Sequence, residues 1–320
     1  MASLLKVAKW LCILLVATAS ASPRRRLTIE DLERFLEDYF AHENSTSLED
    51  FQAALPTDKE MKQMAQLVDD LYGLSDYTQC NSAALEPYDA LKSIIEVQRF
   101  EADYCVVREY IPSDTGKKFP RFFGVLVLTD PKVAIRPNLH HSSAHFESDG
   151  PVHQQATSLF HSTGARSLVL AGASRYSVIG THSADCQSAY QVADAAHTDV
   201  LMFDALCRAV YDAATKRSAA SQKKDVFVQW HGMADTSCLD STVFISAGAP
   251  NTSNIYLNLS LPAIASIFNR YAYPYVAGTP HTDMDCRLRA TDNVFGRYVN
   301  GVPADKRCST KALDEASGAC

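Results

Sequence analysis

The chain has 320 residues, 47% of them hydrophobic, with 37 acidic against 30 basic side chains and a formal net charge of −7. Nucleic acid and anionic membranes reward clustered Lys and Arg, so this balance excludes them as main partners. The nine cysteines are too widely spaced for paired zinc-finger ligands, and a chain of this length builds a core without needing disulfides.

At the N-terminus, Lys6 and Lys9 precede an apolar run from Trp10 to Val16 and the small residues Ala19-Ser20-Ala21. That pattern predicts a signal peptide over 1–21, cut after Ala21; the run is too short to span a bilayer, and nothing later is long enough. The expected product is secreted and extracellular, without a membrane span. Cleavage removes two lysines and no acid, moving the charge from −7 to −9. Cys12 leaves with the peptide. Cys80, Cys105, Cys186, Cys207, Cys238, Cys286, Cys308 and Cys320 remain, an even set suited to an oxidising compartment, whose pairing spacing does not reveal. Sequons at Asn44, Asn251 and Asn258 would accept glycans on a eukaryotic secretory route. Arg24-Arg25-Arg26 reads as a processing site or as a solvated basic N-terminus.

Thr28-Ile-Glu-Asp31 has the form of a capped helix start, and Ile29, Leu32, Phe35, Leu36 and Tyr39 recur at helical spacing, predicting a helix to about Phe40. Thr57-Asp-Lys-Glu60 repeats the pattern ahead of Met61, Met64, Leu67, Val68 and Leu71, and residues 87–97 again read as amphipathic. Residues 22–100 are therefore expected to form an N-terminal helical layer, part of the domain because no linker composition separates it from the β-rich region after it. From Tyr104 the period shortens to β-rich runs at 105–111, 122–128, 167–170, 226–230 and 242–246, with helical candidates at 151–162 and 197–216 between them. The alternation predicts an α/β fold over 101–320, a mostly parallel or mixed sheet flanked by helices, with a disulfide-stapled C-terminal segment.

The run Val226-Phe-Val-Gln-Trp230 ends directly in His231-Gly232, which places His231 at the carboxyl edge of a strand, where open α/β sheets keep their chemistry. A second histidine-rich stretch, His140-His141-Ser-Ser-Ala-His145-Phe-Glu147-Ser-Asp149, lies at another strand-to-helix junction. Catalytic zinc takes imidazole and carboxylate ligands and leaves one position open. His145, His231 and an acid would supply that set; Asp149 is preferred to Glu147, because a spacing of two within a turn is awkward for one ion. His231 reads equally as a satisfied strand-end histidine. Arg175 follows the 167–170 strand and would clamp a carboxylate, or else pair with Asp185 or Asp194. Asp194 is most simply the N-cap of the 197–216 helix, with His197 beside it. Asp292 is a candidate general base and Arg297 a second carboxylate holder.

This order of motifs, a His-acid turn at His145 to Asp149, then Thr163 to Arg175, then a strand ending in His231-Gly232, resembles the zinc carboxypeptidase-type amidohydrolases. It is most similar to their poly-γ-glutamate hydrolase and N-formylglutamate amidohydrolase branches, over roughly residues 105–300. The resemblance implies zinc on His145, Asp149 and His231, and hydrolysis of an amide or peptide bond next to a carboxylate held by Arg175 or Arg297. The family's His-x-x-Glu is absent, and no glutamate stands in 281–300, so Asp149 and Asp292 would have to substitute.

Two further readings stay open. Gly172-Ala-Ser174-Arg-Tyr176 approaches a nucleophile elbow, with Ser174 as nucleophile, a later acid and His281 completing a serine hydrolase, although Tyr176 stands where glycine is favoured. The missing glutamates point instead to a secreted, non-catalytic binding protein on a degenerate hydrolase fold. The expected partner is a small-molecule or peptide substrate.

Overall fold

The computed structural model describes residues 27–111, 118–219, 224–249 and 261–312; the expected signal peptide, Arg24 to Arg26, Asn251, Asn258 and Cys320 lie outside the described residues. Thr28 opens α1 (Ile29–Glu37): its hydroxyl accepts the Asp31 N–H, and the Asp31 carboxylate accepts the Thr28 N–H at 2.9 Å. A short α2 (Leu48–Ala54) comes next, capped by Ser47. α3 (Asp58–Tyr72) repeats the reciprocal cap with Thr57 and Glu60.

The stretch 87–97 does not form the expected helix. Turns run to Ile94, and β1 (Ile95–Phe100) then pairs antiparallel with β2 (Tyr104–Glu109). Ile95 and Val97 are buried while Glu96 and Gln98 are half-buried, a period of two, and the neighbouring strand decides the conformation over the local amphipathic pattern. β3 (Val125–Thr129), β4 (Arg136–Ser143), α4 (Val152–Thr163), β5 (Ala165–Leu170), α5 (Met202–Ser218) and β6 (Val226–Trp230) complete a six-stranded mixed sheet in the order β1-β2-β3-β5-β4-β6. The first three pairings in that order are antiparallel; β5, β4 and β6 run parallel.

Both faces of the sheet are covered, which is why β3 is buried along its whole length and reads as an apolar run. Leu126, Leu128 and Val169 face a core shared with α3 and α5, while Val125, Val127, Leu168 and Leu170 face one shared with α1 and α4. The N-terminal helices are thus packed into the same two cores as the sheet. α4 ends at Gly164, whose φ of 59° lets the chain turn directly into β5.

Beyond β6 the chain forms a two-stranded parallel ladder, β7 (Val243–Phe244) with β8 (Ala277–Gly278), then α6 (Leu261–Tyr271) between them in sequence and α7 (Val294–Val299) after them. Disulfides join Cys80 to Cys105, Cys186 to Cys308 and Cys238 to Cys286; Cys207, buried on α5, is a thiol without a disulfide partner among the described residues. Among the described residues no helix is long and apolar enough to cross a membrane.

Candidate functional site

The parallel half of the sheet brings three carboxyl ends to one edge, with Ser143 of β4 in register with Leu170 of β5 and Trp230 of β6. His145, Arg175 and His231 come after those ends by two, five and one residues and meet there. Of the three histidines at 140, 141 and 145, His145 is the one that turns to this edge. His140 is buried between Ser167 and Asp225, and His141 accepts from the Trp230 indole at 2.8 Å, so both serve the sheet interior.

The turn after His145 passes through Glu147 at φ 61°, a left-handed conformation that costs a non-glycine residue strain. That kink brings Asp149 back, Oδ2 2.9 Å from His145 Nδ1, while Glu147 points away and accepts the Glu43 N–H at 3.1 Å. Gly232 closes the arrangement. Its N–H donates to Asp149 Oδ2 at 2.8 Å, and a Cβ there would stand 2.5 Å from the Asp149 carbonyl oxygen, so only glycine fits. His231 Nδ1 lies 3.1 Å from His145 Nδ1 and 3.7 Å from Asp149 Oδ2.

Behind this group, Asp194, fully buried, accepts from His145 Nε2 at 2.8 Å. Asp194 is not the cap of the long helix: α5 begins at Met202, and Asp194 caps only a turn through the Ala196 N–H. Gln229 Oε1 holds His231 Nε2 at 2.9 Å. Both ring nitrogens of His145 face a carboxylate, but Nδ1 also lies 2.8 Å from Arg175 Nη2, which only donates, so the hydrogen is assigned to Nε2 and the Nδ1 lone pair faces the group.

Arg175 supplies the positive charge. Its Nε donates to Ser148 at 3.1 Å, its Nη2 to His145 Nδ1 at 2.8 Å and to Asp149, and its Nη1 lies 3.9 Å from Asp194. Burial works to raise the Asp149 carboxyl, but the neighbouring His145 and His231 rings and the Arg175 charge overcome it and hold it far below the ordinary carboxylate value. Asp194 is likewise held down by His145 against burial. His145 moves the other way: desolvation opposes its charge, and the two carboxylates raise its pKa nonetheless.

His197 stacks flat on Tyr190 with ring centroids 3.4 Å apart, and its ring centre is 6.4 Å from that of His145. Its Nδ1 donates to the Asp292 carbonyl at 3.0 Å, and burial lowers its pKa to about 4. No hydrogen bond engages its Nε2 among the described residues, so that atom keeps a free lone pair.

The remaining expected residues lie elsewhere. The Asp292 carboxylate is taken by Arg297 at 2.8 Å and Lys311 at 3.1 Å. Arg297 is buried and spends its donors on the carbonyls of Thr291, Arg307 and Cys308 and on Asp292, clamping the C-terminal segment. Ser174 is fully buried, with its hydroxyl accepting the Tyr176 N–H at 3.3 Å; no hydrogen bond joins it to a histidine among the described residues. His281 is exposed after β8, its N–H directed to the Thr279 hydroxyl.

His145, Asp149 and His231 each offer one ligand atom, all within 4.8 Å of one another. A tetrahedral ion with bonds of about 2.0–2.1 Å needs its donors roughly 3.4 Å apart. The observed separations of 2.9, 3.1 and 3.7 Å bracket that value. Two imidazoles and a carboxylate suit zinc better than magnesium or calcium, which take oxygen ligands. No family model matches the chain, and no curated protein or solved structure matches it.

Proposed function

We propose that this protein is a secreted zinc-dependent hydrolase of amide or peptide bonds next to a carboxylate. The observation that carries the reading is the convergence of acceptors: with His145 donating backwards to Asp194, its Nδ1, the Asp149 carboxylate and His231 Nδ1 turn toward one another over 2.9–3.7 Å. Such a group calls for positive charge, which Arg175 supplies in part from the rim and which a metal ion would supply in full. Zinc on His145, Asp149 and His231 would supply Lewis acidity toward a carbonyl and make water nucleophilic near neutral pH.

The other residues then take distinct parts. Arg175, at the rim with its side chain 22% exposed, would turn its planar fork from His145 and Asp149 to the substrate carboxylate once an ion takes those two acceptors. Asp194 orients His145 through Nε2 and makes its Nδ1 more basic. Proton transfer falls to His197, whose Nε2 takes part in no hydrogen bond among the described residues, because the Asp292 carboxylate is already ion-paired and acts through its backbone carbonyl instead. Secretion rests on the 1–21 pattern together with three disulfides of the kind an oxidising compartment supports.

The first experiment is the metal content of purified protein by elemental mass spectrometry, in wild type, His145→Ala and His231→Ala. Near-stoichiometric zinc, lost in both variants, with chelator-sensitive hydrolysis of N-acyl glutamate amides, is the expected result. Wild type that stays metal-free after expression with zinc, never chelated, sinks the reading. Stoichiometric zinc without turnover favours the binding-protein alternative, for which the ion-paired Asp292 and the absent glutamate speak.

A further inference from the structure

The hydrogen of His231 can be traced from a helix cap. Asn293 precedes α7, and its Oδ1 accepts the Gly296 N–H at 2.6 Å. An amide that caps with its oxygen has only its NH2 left to offer, and this Nδ2 donates to Gln229 Oε1. The same Oε1 lies 2.9 Å from His231 Nε2, so that nitrogen must also be a donor. Gln229 Nε2, 3.5 Å from the Ser142 hydroxyl, agrees with this orientation. A neutral imidazole that carries its hydrogen on Nε2 keeps its lone pair on Nδ1, the atom that faces His145 and Asp149.

We propose that Asn293 and Gln229 are positioning residues, a relay in which the cap of α7 sets the tautomer of His231 and aims its Nδ1 at the ion. The role rests on the zinc reading of the site. It also ties the C-terminal segment to the site, because the peptide that precedes Asn293 orients His197 through the Asp292 carbonyl.

Three variants test the relay by two measurements: nitrogen-15 shifts of the His231 ring in zinc-free protein, and zinc affinity by competition with a chromophoric chelator. Asn293→Asp keeps the cap, since Asp caps as well as Asn. It replaces the donor by an acceptor, so the Gln229 amide rotates to present its NH2 and the His231 hydrogen moves to Nδ1. Zinc affinity should then fall about 10- to 100-fold, the usual cost of losing a ligand's outer partner. Gln229→Met should lose affinity similarly. Gln229→Glu keeps an acceptor between two donors and should retain both tautomer and affinity. A merely structural cap would leave Asn293→Asp unchanged in both readouts, which overturns the proposal, as does a wild-type ring protonated on Nδ1. A tautomer switch in a protein that takes up no zinc upholds the relay and sinks the metal reading instead.

Discussion

Gly232→Ala places a methyl group where the site has no room. The added Cβ would stand 2.5 Å from the Asp149 carbonyl oxygen, 2.8 Å from its Cβ and 3.0 Å from its carbonyl carbon. None of these is the end of a flexible side chain, so the 145–149 turn and the β6 end must separate by the better part of an ångström. Overpacking of this kind costs about 1–3 kcal/mol. Separation also breaks the 2.8 Å bond from the Gly232 N–H to Asp149 Oδ2, the oxygen that faces the two histidines. Zinc affinity should drop by at least about tenfold, as when an outer partner of a ligand is lost. Chelator competition at fixed pH reads the affinity, and urea unfolding of the metal-free protein reads the stability. A Gly232→Ala protein with wild-type zinc affinity and an unchanged midpoint would refute the geometry that brings His231 and Asp149 together.

Asp194→Asn keeps an acceptor for His145 Nε2 but removes its charge; zinc should bind about tenfold more weakly, measured by the same competition, and an unchanged affinity would remove Asp194 from the site. Cys186→Ser with Cys308→Ser opens a loop of 122 residues, for which the chain-entropy treatment gives an upper figure of about 5 kcal/mol and mutational experience about 2–5 kcal/mol, read as a lowered melting temperature. Glu33 on α1 is buried with neither carboxylate oxygen hydrogen-bonded to a donor, and burial together with neighbouring Glu37 lifts its pKa to about 9. The folded state then binds a proton that the unfolded chain releases, so stability falls as pH rises from about 5 to 9, by at most about 1.4 kcal/mol per pH unit. Glu33→Gln should flatten that slope in pH-resolved denaturant titrations; a slope identical to wild type would show that Glu33 ionises freely.

The elements that are legible in the sequence are those whose signal is local. Thr28 with Asp31 and Thr57 with Glu60 announce helix starts because a reciprocal cap needs only residues three apart. The 122–128 and 167–170 runs announce the strands at 125–129 and 165–170 because helices cover both faces there. β4 is harder: Arg136-Pro-Asn-Leu-His-His-Ser-Ser143 reads as polar, and its buried residues are satisfied by Ser167, Asp225 and Trp230, all distant in sequence. β1 is hidden by an alternation that also fits a helix face over so short a span.

The site divides the same way. His145, Asp149, Arg175 and His231 stand at strand ends, and the sheet register that unites them arises from alternating strands and helices. Asp194 has no such marker. It lies on a long loop, 49 residues from His145, and an Asp ahead of an alanine-rich stretch has the local form of a cap. Gln229 is readable in principle, being the one polar side chain in an apolar strand and two residues before His231, hence on the same face. Such a residue has to spend its amide on something, and at the carboxyl edge of a parallel sheet the nearest taker is the histidine that emerges there. A polar residue at i−2 from a strand-end histidine is therefore a sequence signal for which ring nitrogen will face the site.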